Sequence, residues 1–305
     1  MADLITLASG FAARIEGLDA ARATTADIAA IKAALVDHPI IVLPDQRLSA
    51  EDQMAFAANF GPFDSNPEAA GRDYNRGLPS ELLAISNAGD SDAPAEVMDR
   101  RRMLDIGNKL WHSDSSFKAV PAYLSMLYAI ETPSVGGETQ FADLRAGYDA
   151  LSDDMKRMIE GLVAEHSVLH SREALGFDDW DAAQRERMGT WVAHDLVRTL
   201  PDSGRRTLYL SSHASHIVGM PKPIGRMLLH ELTEIATAPA HVYTHHWRRG
   251  DFVLWDNRCT MHRLRRYRAS DELRVLRRVT TLAPEFPARD PATVRVPAWV
   301  IEQVA

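Results

Sequence analysis

Helical and strand-like hydrophobic patterns follow one another in the first sixty residues. Residues 25–36 place apolar side chains at helical spacing behind a capping residue, which predicts a helix. The β-branched run at residues 39–44 has proline at both ends and predicts a buried strand. A second helix begins at Ser49 and ends before Gly61. No glycine-rich turn joins the strand to this helix, so we do not expect a Rossmann nucleotide site.

After residue 110 the pattern changes to short apolar runs separated by glycine and proline turns. The sequence predicts buried strands at residues 123–130, 139–142, 252–255 and 273–282. Helices are predicted at residues 153–162 and 223–235. Many short strands with few helices indicate a mainly β fold with flanking helices (α+β), built as an antiparallel double sheet or barrel.

Two stretches lack a periodic pattern, residues 64–108 and residues 171–195, apart from one strand-like run at 82–86. Irregular segments of this length inside a domain typically form lids or binding loops. The basic residues of the first stretch, Arg72, Arg76 and the run at 100–102, are by default a solvated face. We expect one domain over residues 1–305 with lid insertions at these two places.

Composition and charge narrow the class of protein and its partners. Apolar residues make up 46% of the chain and charged residues 25%, as in ordinary globular proteins. The net charge of -8 argues against nucleic acid as a partner, whereas the arginines between 263 and 268 suit a small anion. A single cysteine, Cys259, and the lack of a secretory pattern or a membrane-length apolar run predict a cytoplasmic protein. Cys259 is more simply a small buried residue than a ligand or nucleophile.

Candidate metal ligands lie in residues 110–117. In an extended segment, side chains two residues apart point the same way, so His112 and Asp114 would project side by side. The best third ligand is His262. Two histidines and one carboxylate that leave one face open are typical of non-haem Fe(II) oxygenases. The pair alone is a weak signal, since many such pairs are surface polar residues.

Paired arginines follow in the last predicted strand. Arg274, Leu276, Arg278 and Thr280 share one face, and Arg277 points the other way. The two guanidiniums on that face stand about 13 Å apart at ~3.3 Å per residue. Each either pairs with a carboxylate of the protein or holds the carboxylate of a bound cosubstrate or substrate, because the guanidinium fork binds carboxylates bidentately. The spacing alone does not decide between these readings.

The order of these motifs resembles that of the taurine dioxygenase family of Fe(II)/2-oxoglutarate-dependent oxygenases, and within it the aryloxyalkanoate dioxygenases. The matching motifs are Trp111-His112-Ser113-Asp114, Gly136-Gly137-Glu138-Thr139 and Trp255-Asp256-Asn257-Arg258, followed by His262, Arg274 and Arg278. Supporting runs lie at residues 141–144, 148–151, 213–216 and 225–229, and the similarity extends from about residue 35 to about residue 283. The resemblance implies a single oxygenase domain built as a double-stranded β-helix, or jelly roll, with Fe(II), 2-oxoglutarate and O2 as cofactor and cosubstrates.

The resemblance also implies a role for each matching residue. His112, Asp114 and His262 would bind Fe(II); Thr139 and Arg274 would bind the distal carboxylate of 2-oxoglutarate, and Arg278 would lie near its other carboxylate and the substrate anion. Asn108 would lie on the substrate side, with Trp255 and Ser113 in the pocket, although a strand tryptophan is by default core. His213 and His216 match family histidines, for which outer-shell or structural roles are favoured over direct substrate contact. Residues 64–108 carry no obvious counterpart of the family's substrate-side lysine.

The activity implied is hydroxylation of the carbon next to the ether oxygen of an aryloxyalkanoate, which releases a phenol and an oxoacid together with succinate and CO2. A small anionic aromatic substrate and a homo-oligomer are expected, with no membrane partner. The same chemistry on a sulfonate, a sulfate ester or another small organic anion is the alternative. A Zn or Mn isomerase would use the same ligands without needing paired arginines, and a passive binding module would have little use for an open triad.

Overall fold

The computed structural model describes residues 3–65, 75, 77–89, 93–95, 105–177, 180–189 and 191–302. Strands dominate this part of the chain. They are β1 Asp3–Thr6, β2 Ala12–Glu16, β3 Ile40–Leu43, β4 Leu82–Ser86, β5 Ala122–Glu131, β6 Thr139–Asp143, β7 Val163–His166, β8 Val192–Asp195, β9 Val197–Thr199, β10 Arg206–Leu208, β11 Ala214–Ile217, β12 Val242–His245, β13 Phe252–Asp256, β14 Thr260–Leu264 and β15 Val275–Leu282.

Helices connect and cover the strands. The α-helices are α1 Thr25–Asp37, α2 Ala50–Ala57, α3 Leu144–Asp149, α4 Asp153–Ile159, α5 Val168–Glu173, α6 Ala182–Met188, α7 Lys222–Ala236 and α8 Ala298–Glu302. A 3-10 helix at Asp105–Lys109 precedes the His-x-Asp segment. Among the helices in the described ranges, none is long and apolar enough to span a membrane.

The largest sheet has seven strands in the order β1-β2-β3-β13-β5-β15-β4, and all its pairs are antiparallel except β2 with β3. Its central strands are apolar on both faces because both faces are covered. In β13, Phe252 and Leu254 pack in the core that also contains buried residues of α1 and α2. Val253 and Trp255 point to the opposite face and join a second core.

A three-stranded sheet, β12-β6-β14, lies against that second face. Phe141 of β6 packs on Trp255 of β13, with ring centroids 5.4 Å apart. The space between these two sheets is where the candidate ligands meet. Two smaller sheets, β11-β7-β8 and β10-β9, complete the strands.

The two helices on the outer face begin where the sequence predicts. Thr24 and Ser49 each form a reciprocal capping box with an aspartate three residues on, which satisfies free N–H groups in the first turn. Ile28, Ile31 and Leu35 of α1 are buried against the seven-stranded sheet. The helices thereby close one face of this sheet and leave the other face for the site.

Most predicted elements are present, and the predicted mainly β architecture with flanking helices is confirmed. The expectation that residues 171–195 are irregular is wrong, since α5, α6 and β8 occupy most of them. Those elements are too short for a periodic pattern to emerge above the charged residues around them. In residues 64–108, the stretches 66–74, 76, 90–92 and 96–104, which include Arg72, Arg76 and Arg100–Arg102, lie outside the described residues.

Candidate active site

The two histidines of the candidate triad are held together by the backbone. His112 and His262 form an isolated antiparallel bridge, in which the N–H of each donates to the carbonyl of the other at 3.0 and 2.8 Å. Their ring centroids lie 4.1 Å apart. A bridge of this kind fixes both Cβ positions, so residues far apart in sequence present their imidazoles to the same point.

Asp114 completes the group. Its Oδ1 lies 4.0 Å from His112 Nε2, and its Oδ2 lies 3.8 Å from His262 Nε2. One candidate ligand atom from each residue lies within 4.8 Å of the others, and all three residues are buried. Ser115 has a φ of +51°, which turns the chain away directly after the carboxylate. The structure therefore brings together the three residues that the sequence selects.

The protonation states of the triad suit a divalent metal. The ring nitrogen Nδ1 of His112 lies 2.8 Å from the carbonyl oxygen of Leu110, a bond that leaves Nε2 as the lone-pair nitrogen facing Asp114. Burial lowers the pKa of His112, and lowers that of His262 further, so both rings are neutral. Burial alone would raise the pKa of Asp114, but the Arg278 guanidinium, together with the hydrogen bond from Ser125, holds the pKa below its usual range. Two neutral imidazoles and one carboxylate are the donors that Fe(II) takes in this geometry.

A buried polar network orients the Asp114 carboxylate. Ser125 Oγ donates to Oδ2 at 2.6 Å, and Arg278 donates to Oδ1. The side chain of Asn257 accepts from the backbone N–H of Asp114 at 3.0 Å and donates to Ser125 Oγ at 2.9 Å. Thr280 Oγ1 lies 3.2 Å from the same hydroxyl. Sequence reasoning missed Ser125 and Asn257 because nothing in their local pattern separates them from ordinary strand and turn residues.

Arg274 and Thr139 meet in the same pocket. Arg274 is 4% exposed; its Nε donates to the carbonyl of Gly137 at 3.1 Å, and its Nη2 lies 3.5 Å from Thr139 Oγ1. Asn87 accepts from the Arg274 backbone N–H at 2.7 Å and fixes the start of β15. Gly137 has a φ of +74°, and a Cβ there would lie 2.8 Å from Pro133 and 3.4 Å from the Arg274 side chain. A second donor, Trp247 Nε1, lies 2.9 Å from Thr139 Oγ1 and was not foreseen.

A pocket lies between the two sheets. Both polar and apolar side chains line it, as in sites for small ligands. Its lining consists of Ile85, Asn108, His112, Leu127, Thr139, Trp255, His262, Leu264, Arg274 and Arg278. The alternation predicted for the last strand holds, because Arg277 points to the opposite face and donates to Gln53 and to carbonyls at the start of α2.

The residues predicted on the substrate side divide into two groups. Asn108 and Trp255 line the pocket. The ring of His213 lies 6.4 Å from that of His112 and 4.9 Å from that of Phe117, and its Nδ1 lies 2.8 Å from Ser171 Oγ. Burial, with the neighbouring His112 and Arg172, lowers the pKa of His213 to about 3. His213 is therefore a neutral ring beside the triad.

His216 and Ser113 are not among the residues that line the pocket. His216 lies on the opposite face of β11 from Ser215 and Ile217; its Nδ1 is 2.8 Å from Ser215 Oγ and its Nε2 3.9 Å from Glu165. The hydroxyl of Ser113 donates to the carbonyls of Leu210 and Thr260 at 3.1 and 2.9 Å. Ser113 lies between His112 and Asp114 in an extended segment, so its side chain points to the opposite side from theirs. Its hydroxyl therefore connects this segment to the neighbouring backbone.

One basic residue near the site was missed. Arg172, at the end of α5, follows Ser171, the partner of His213. A methyl group at Gly107 would overlap the Arg172 guanidinium, so the charge packs on the backbone next to Asn108. Its charge also helps to lower the pKa of both His112 and His213. No local sequence pattern distinguishes Arg172 from the other arginines, because the stretch that contains it is predicted to be irregular.

Cys259 takes the structural place that its size suggests. It is 1% exposed, and burial raises the pKa of its thiol well above the ordinary value. A protonated, enclosed thiol is neither a ligand nor a nucleophile.

Comparison with known proteins agrees with this geometry. Residues 4–280 match the family model "Taurine catabolism dioxygenase TauD, TfdA family". The chain is 44% identical over 273 residues to the alpha-ketoglutarate-dependent 2,4-dichlorophenoxyacetate dioxygenase of Cupriavidus pinatubonensis, covering 89% of this chain and 94% of that enzyme. It is 37% identical over 269 residues to the (S)-phenoxypropionate/alpha-ketoglutarate-dioxygenase of Sphingobium herbicidovorans, covering 85% and 88% of the two chains.

A solved structure with the same architecture is that of AAD-2 in complex with Mn(II) and N-oxalylglycine. The TM-score is 0.87 at 40% identity, covering 94% of this chain and all of that one. This likeness confirms the jelly-roll fold expected from the sequence, with the site between its two sheets. On the match along most of its length and the enclosed His-Asp-His group, the chain belongs to the TauD, TfdA family of dioxygenases.

Proposed function

We propose that this protein is an Fe(II)- and 2-oxoglutarate-dependent dioxygenase that hydroxylates the carbon next to the ether oxygen of an aryloxyalkanoate. The unstable hemiacetal formed breaks down to a phenol and an oxoacid, while 2-oxoglutarate is converted to succinate and CO2. The observation that carries this proposal is one pocket lined by both histidines of the His-Asp-His group, Thr139 and two arginines. The named activities of the relatives, 37–44% identical over most of the chain, favour an aryloxyalkanoate as substrate.

The triad holds the metal. His112, Asp114 and His262 bring their donor atoms together beside the pocket and would hold Fe(II) there. When bound, Fe(II) with 2-oxoglutarate and O2 supplies the oxidising power for the hydroxylation. Ser125 and Asn257 keep the Asp114 carboxylate in place, a task that outer partners of metal ligands commonly perform.

Thr139 and Arg274 bind the distal carboxylate of 2-oxoglutarate. Arg274 is buried and anchored through Gly137 and Asn87, so its guanidinium needs no reorganisation to receive an anion. The apolar walls formed by Ile85, Leu127 and Leu264 keep water from this charge pair and strengthen it.

Arg278 has two tasks in this proposal. Its Nη1 donates to Asp114 Oδ1, which neutralises the ligand carboxylate. A guanidinium carries five N–H donors, so this bond leaves others for a carboxylate arriving from the pocket. Arg172, packed against Gly107 beside Asn108, adds a second positive charge on the substrate side, near the neutral ring of His213.

Anaerobic titration of the protein with Fe(II) and 2-oxoglutarate tests the cosubstrate site. We expect a weak visible charge-transfer band that is lost or much weakened in Arg274→Ala. A wild-type protein with no band and no substrate-stimulated succinate would contradict the assignment.

A substrate panel tests the specificity. Phenoxyacetates, both enantiomers of phenoxypropionates and taurine-like sulfonates are compared by succinate release, and the aryloxyalkanoates should give the greatest release. Arg278→Leu should raise KM steeply for the preferred anion, and an unchanged KM would remove Arg278 from the substrate site. Preference for the sulfonates would select the alternative substrate class.

The expectation of a homo-oligomer is kept as part of this proposal. Light scattering of the purified protein tests it, and a mass of one chain, 33.9 kDa, would contradict it.

A further inference from the structure

Trp247 reaches the cosubstrate end of the pocket by strand geometry. Residues 243, 245 and 247 alternate along and just beyond β12, so their side chains share one side. His245 pairs directly with Thr139 across β12 and β6. The indole two residues further on therefore lies over Thr139, and its Nε1–H donates to Thr139 Oγ1 at 2.9 Å.

This contact determines which way the Thr139 hydroxyl points. A threonine hydroxyl has one hydrogen and two acceptor lone pairs and otherwise rotates to suit its partners. Trp247 Nε1 and Arg274 Nη2, at 2.9 and 3.5 Å, both approach Oγ1 as donors. An indole N–H and a guanidinium can only donate, so the Thr139 hydrogen cannot bond to either of them. Because Thr139 lines the pocket, this hydrogen is available to an acceptor bound there.

We propose that Trp247 is a positioning residue for 2-oxoglutarate, which turns the Thr139 hydroxyl into an oriented donor for the distal carboxylate. This inference rests on the proposed cosubstrate site formed by Thr139 and Arg274. Orientation matters because a hydroxyl that must be turned at the moment of binding loses part of its hydrogen-bond energy.

The indole itself is held in place from behind. Its ring meets His245 edge to face, with centroids 4.5 Å apart and the planes at 89°. On the His245 ring, Nδ1 lies 3.1 Å from the Tyr243 hydroxyl, within hydrogen-bond distance, and Nε2 lies 3.1 Å from Asp251 Oδ2. Asp251 and His245 are buried, so this support does not rearrange with solvent. A flexible or solvated side chain would have no means of fixing a hydroxyl.

The competing reading is that Trp247 only fills space, since the indole also packs against the core that contains Leu127, Phe141 and Trp255. The two readings differ in what the hydroxyl contributes. A space-filling indole would affect 2-oxoglutarate binding equally with or without the Thr139 hydroxyl. A positioning indole acts through that hydroxyl alone.

A double-variant cycle separates the readings. Calorimetric titration of 2-oxoglutarate into the anaerobic, Mn(II)-loaded protein measures Kd without turnover. We expect Trp247→Phe to raise Kd by about 5- to 10-fold, the loss of one hydrogen bond's net contribution. Thr139→Val should raise Kd by at least as much, and adding Trp247→Phe to Thr139→Val should change it no further. Trp299→Phe, a partly buried tryptophan of another core, is the matched control and should leave Kd unchanged.

Each outcome bears on the inference. An unchanged Kd in Trp247→Phe would overturn it, and so would a Trp247→Phe effect of the same size with and without the Thr139→Val change. A wild-type protein that binds no 2-oxoglutarate would instead overturn the proposed function.

A measurement on the wild type covers the case in which Trp247→Phe fails to fold. The indole 1H–15N resonance of Trp247 in the Zn(II)-loaded protein, assigned through its own backbone, should shift with 2-oxoglutarate. It should shift much less with 2-oxobutyrate, which lacks the distal carboxylate. Equal shifts with both 2-oxoacids would contradict the role.

Discussion

The two walls of the pocket are built in different ways. The wall that carries the triad, Thr139 and the arginines is made of neighbouring strands, so pairing of the backbone sets each position. His112 bridges His262, Thr139 pairs with both Leu264 and His245, and Arg278 pairs with Leu127. On the proposed substrate side, Asn108 of the 3-10 helix Asp105–Lys109 lines the pocket, and Arg172 of α5 and His213 lie close to it; we call this side the helical wall.

This difference separates the chemistry from the choice of substrate. A change of register in the strand wall would turn every inward side chain outward, so its groups are fixed together. Side chains on short helices can be substituted one at a time without disturbing the pairing of strands. We infer that substitutions on the strand wall affect metal and cosubstrate, and that those on the helical wall affect KM for the aromatic anion.

The strongest test of the strand wall is Asp114→Asn. The amide keeps the shape of the carboxylate but removes the charge that balances the metal, so metal affinity should fall by more than the ~100-fold typical of outer partners. Titration calorimetry with Mn(II) and succinate release measure the loss. Asp64→Asn is the matched control, because Asp64 pairs with Ser115 and Lys118 in the same turn. An Asp114→Asn protein that binds Mn(II) like the wild type would remove Asp114 from the triad.

A smaller change to the same wall is Ser125→Ala. It removes the hydroxyl that donates to Asp114 Oδ2 and accepts from Asn257. We expect metal affinity to fall about tenfold, the low end for an outer partner, with KM for the aromatic substrate unchanged. Ser203→Ala, at an exposed position, is the control. A change confined to substrate KM would reverse the assignment of the two walls.

The helical wall is tested by Arg172→Met, which keeps the length of the side chain and removes the charge. We expect KM for an aryloxyalkanoate to rise about tenfold, as for loss of a charged hydrogen bond. Metal affinity and KM for 2-oxoglutarate should stay as they are. A neutral amide analogue of the substrate should have the same KM in the wild-type protein and in Arg172→Met. Arg226→Met, whose guanidinium donates to the carbonyl of Ser215, is the control. An equal loss with the amide would assign Arg172 a structural role.

The same contrast explains what the sequence could and could not predict. Period-two spacing correctly put Arg274 and Arg278 on the pocket side and Arg277 on the other, and the His-x-Asp spacing selected a pair whose atoms do converge. The side-chain directions on the strand wall can be predicted from spacing, because side chains alternate regularly between the two faces of a strand. The third ligand needed a long-range bridge, which spacing cannot show, so His262 was chosen on chemistry and resemblance.

On the helical wall, the sequence contains fewer patterns from which side-chain positions could be predicted. Arg172 lies on a helix of six residues, too short for a periodic pattern, and its stretch was read as irregular. His216 was placed by resemblance, and the strand turns it to the opposite face. Ser125 and Asn257 matter only through contacts with Asp114, which no local pattern encodes. The prediction that residues 64–108 and 171–195 contain lids stays a prediction.

The last and smallest test concerns His194 of β8, whose Nε2 bonds to the carbonyl of Lys118, in the turn after Asp114, at 3.2 Å. Burial, and then the nearby Arg198, lowers its pKa to about 3. Between pH 6.5 and 3 the unfolded chain therefore binds a proton that the folded chain does not, and the free energy of unfolding falls as the pH falls. His194 should account for about 2 kcal/mol of the loss between pH 7 and pH 5. Urea unfolding of the metal-free protein should show a flatter pH dependence in His194→Gln, whereas His230→Gln, at an exposed helical position, should keep the wild-type slope. Equal slopes in all three proteins would mean that His194 binds protons alike in the folded and the unfolded chain, which would contradict the lowered pKa.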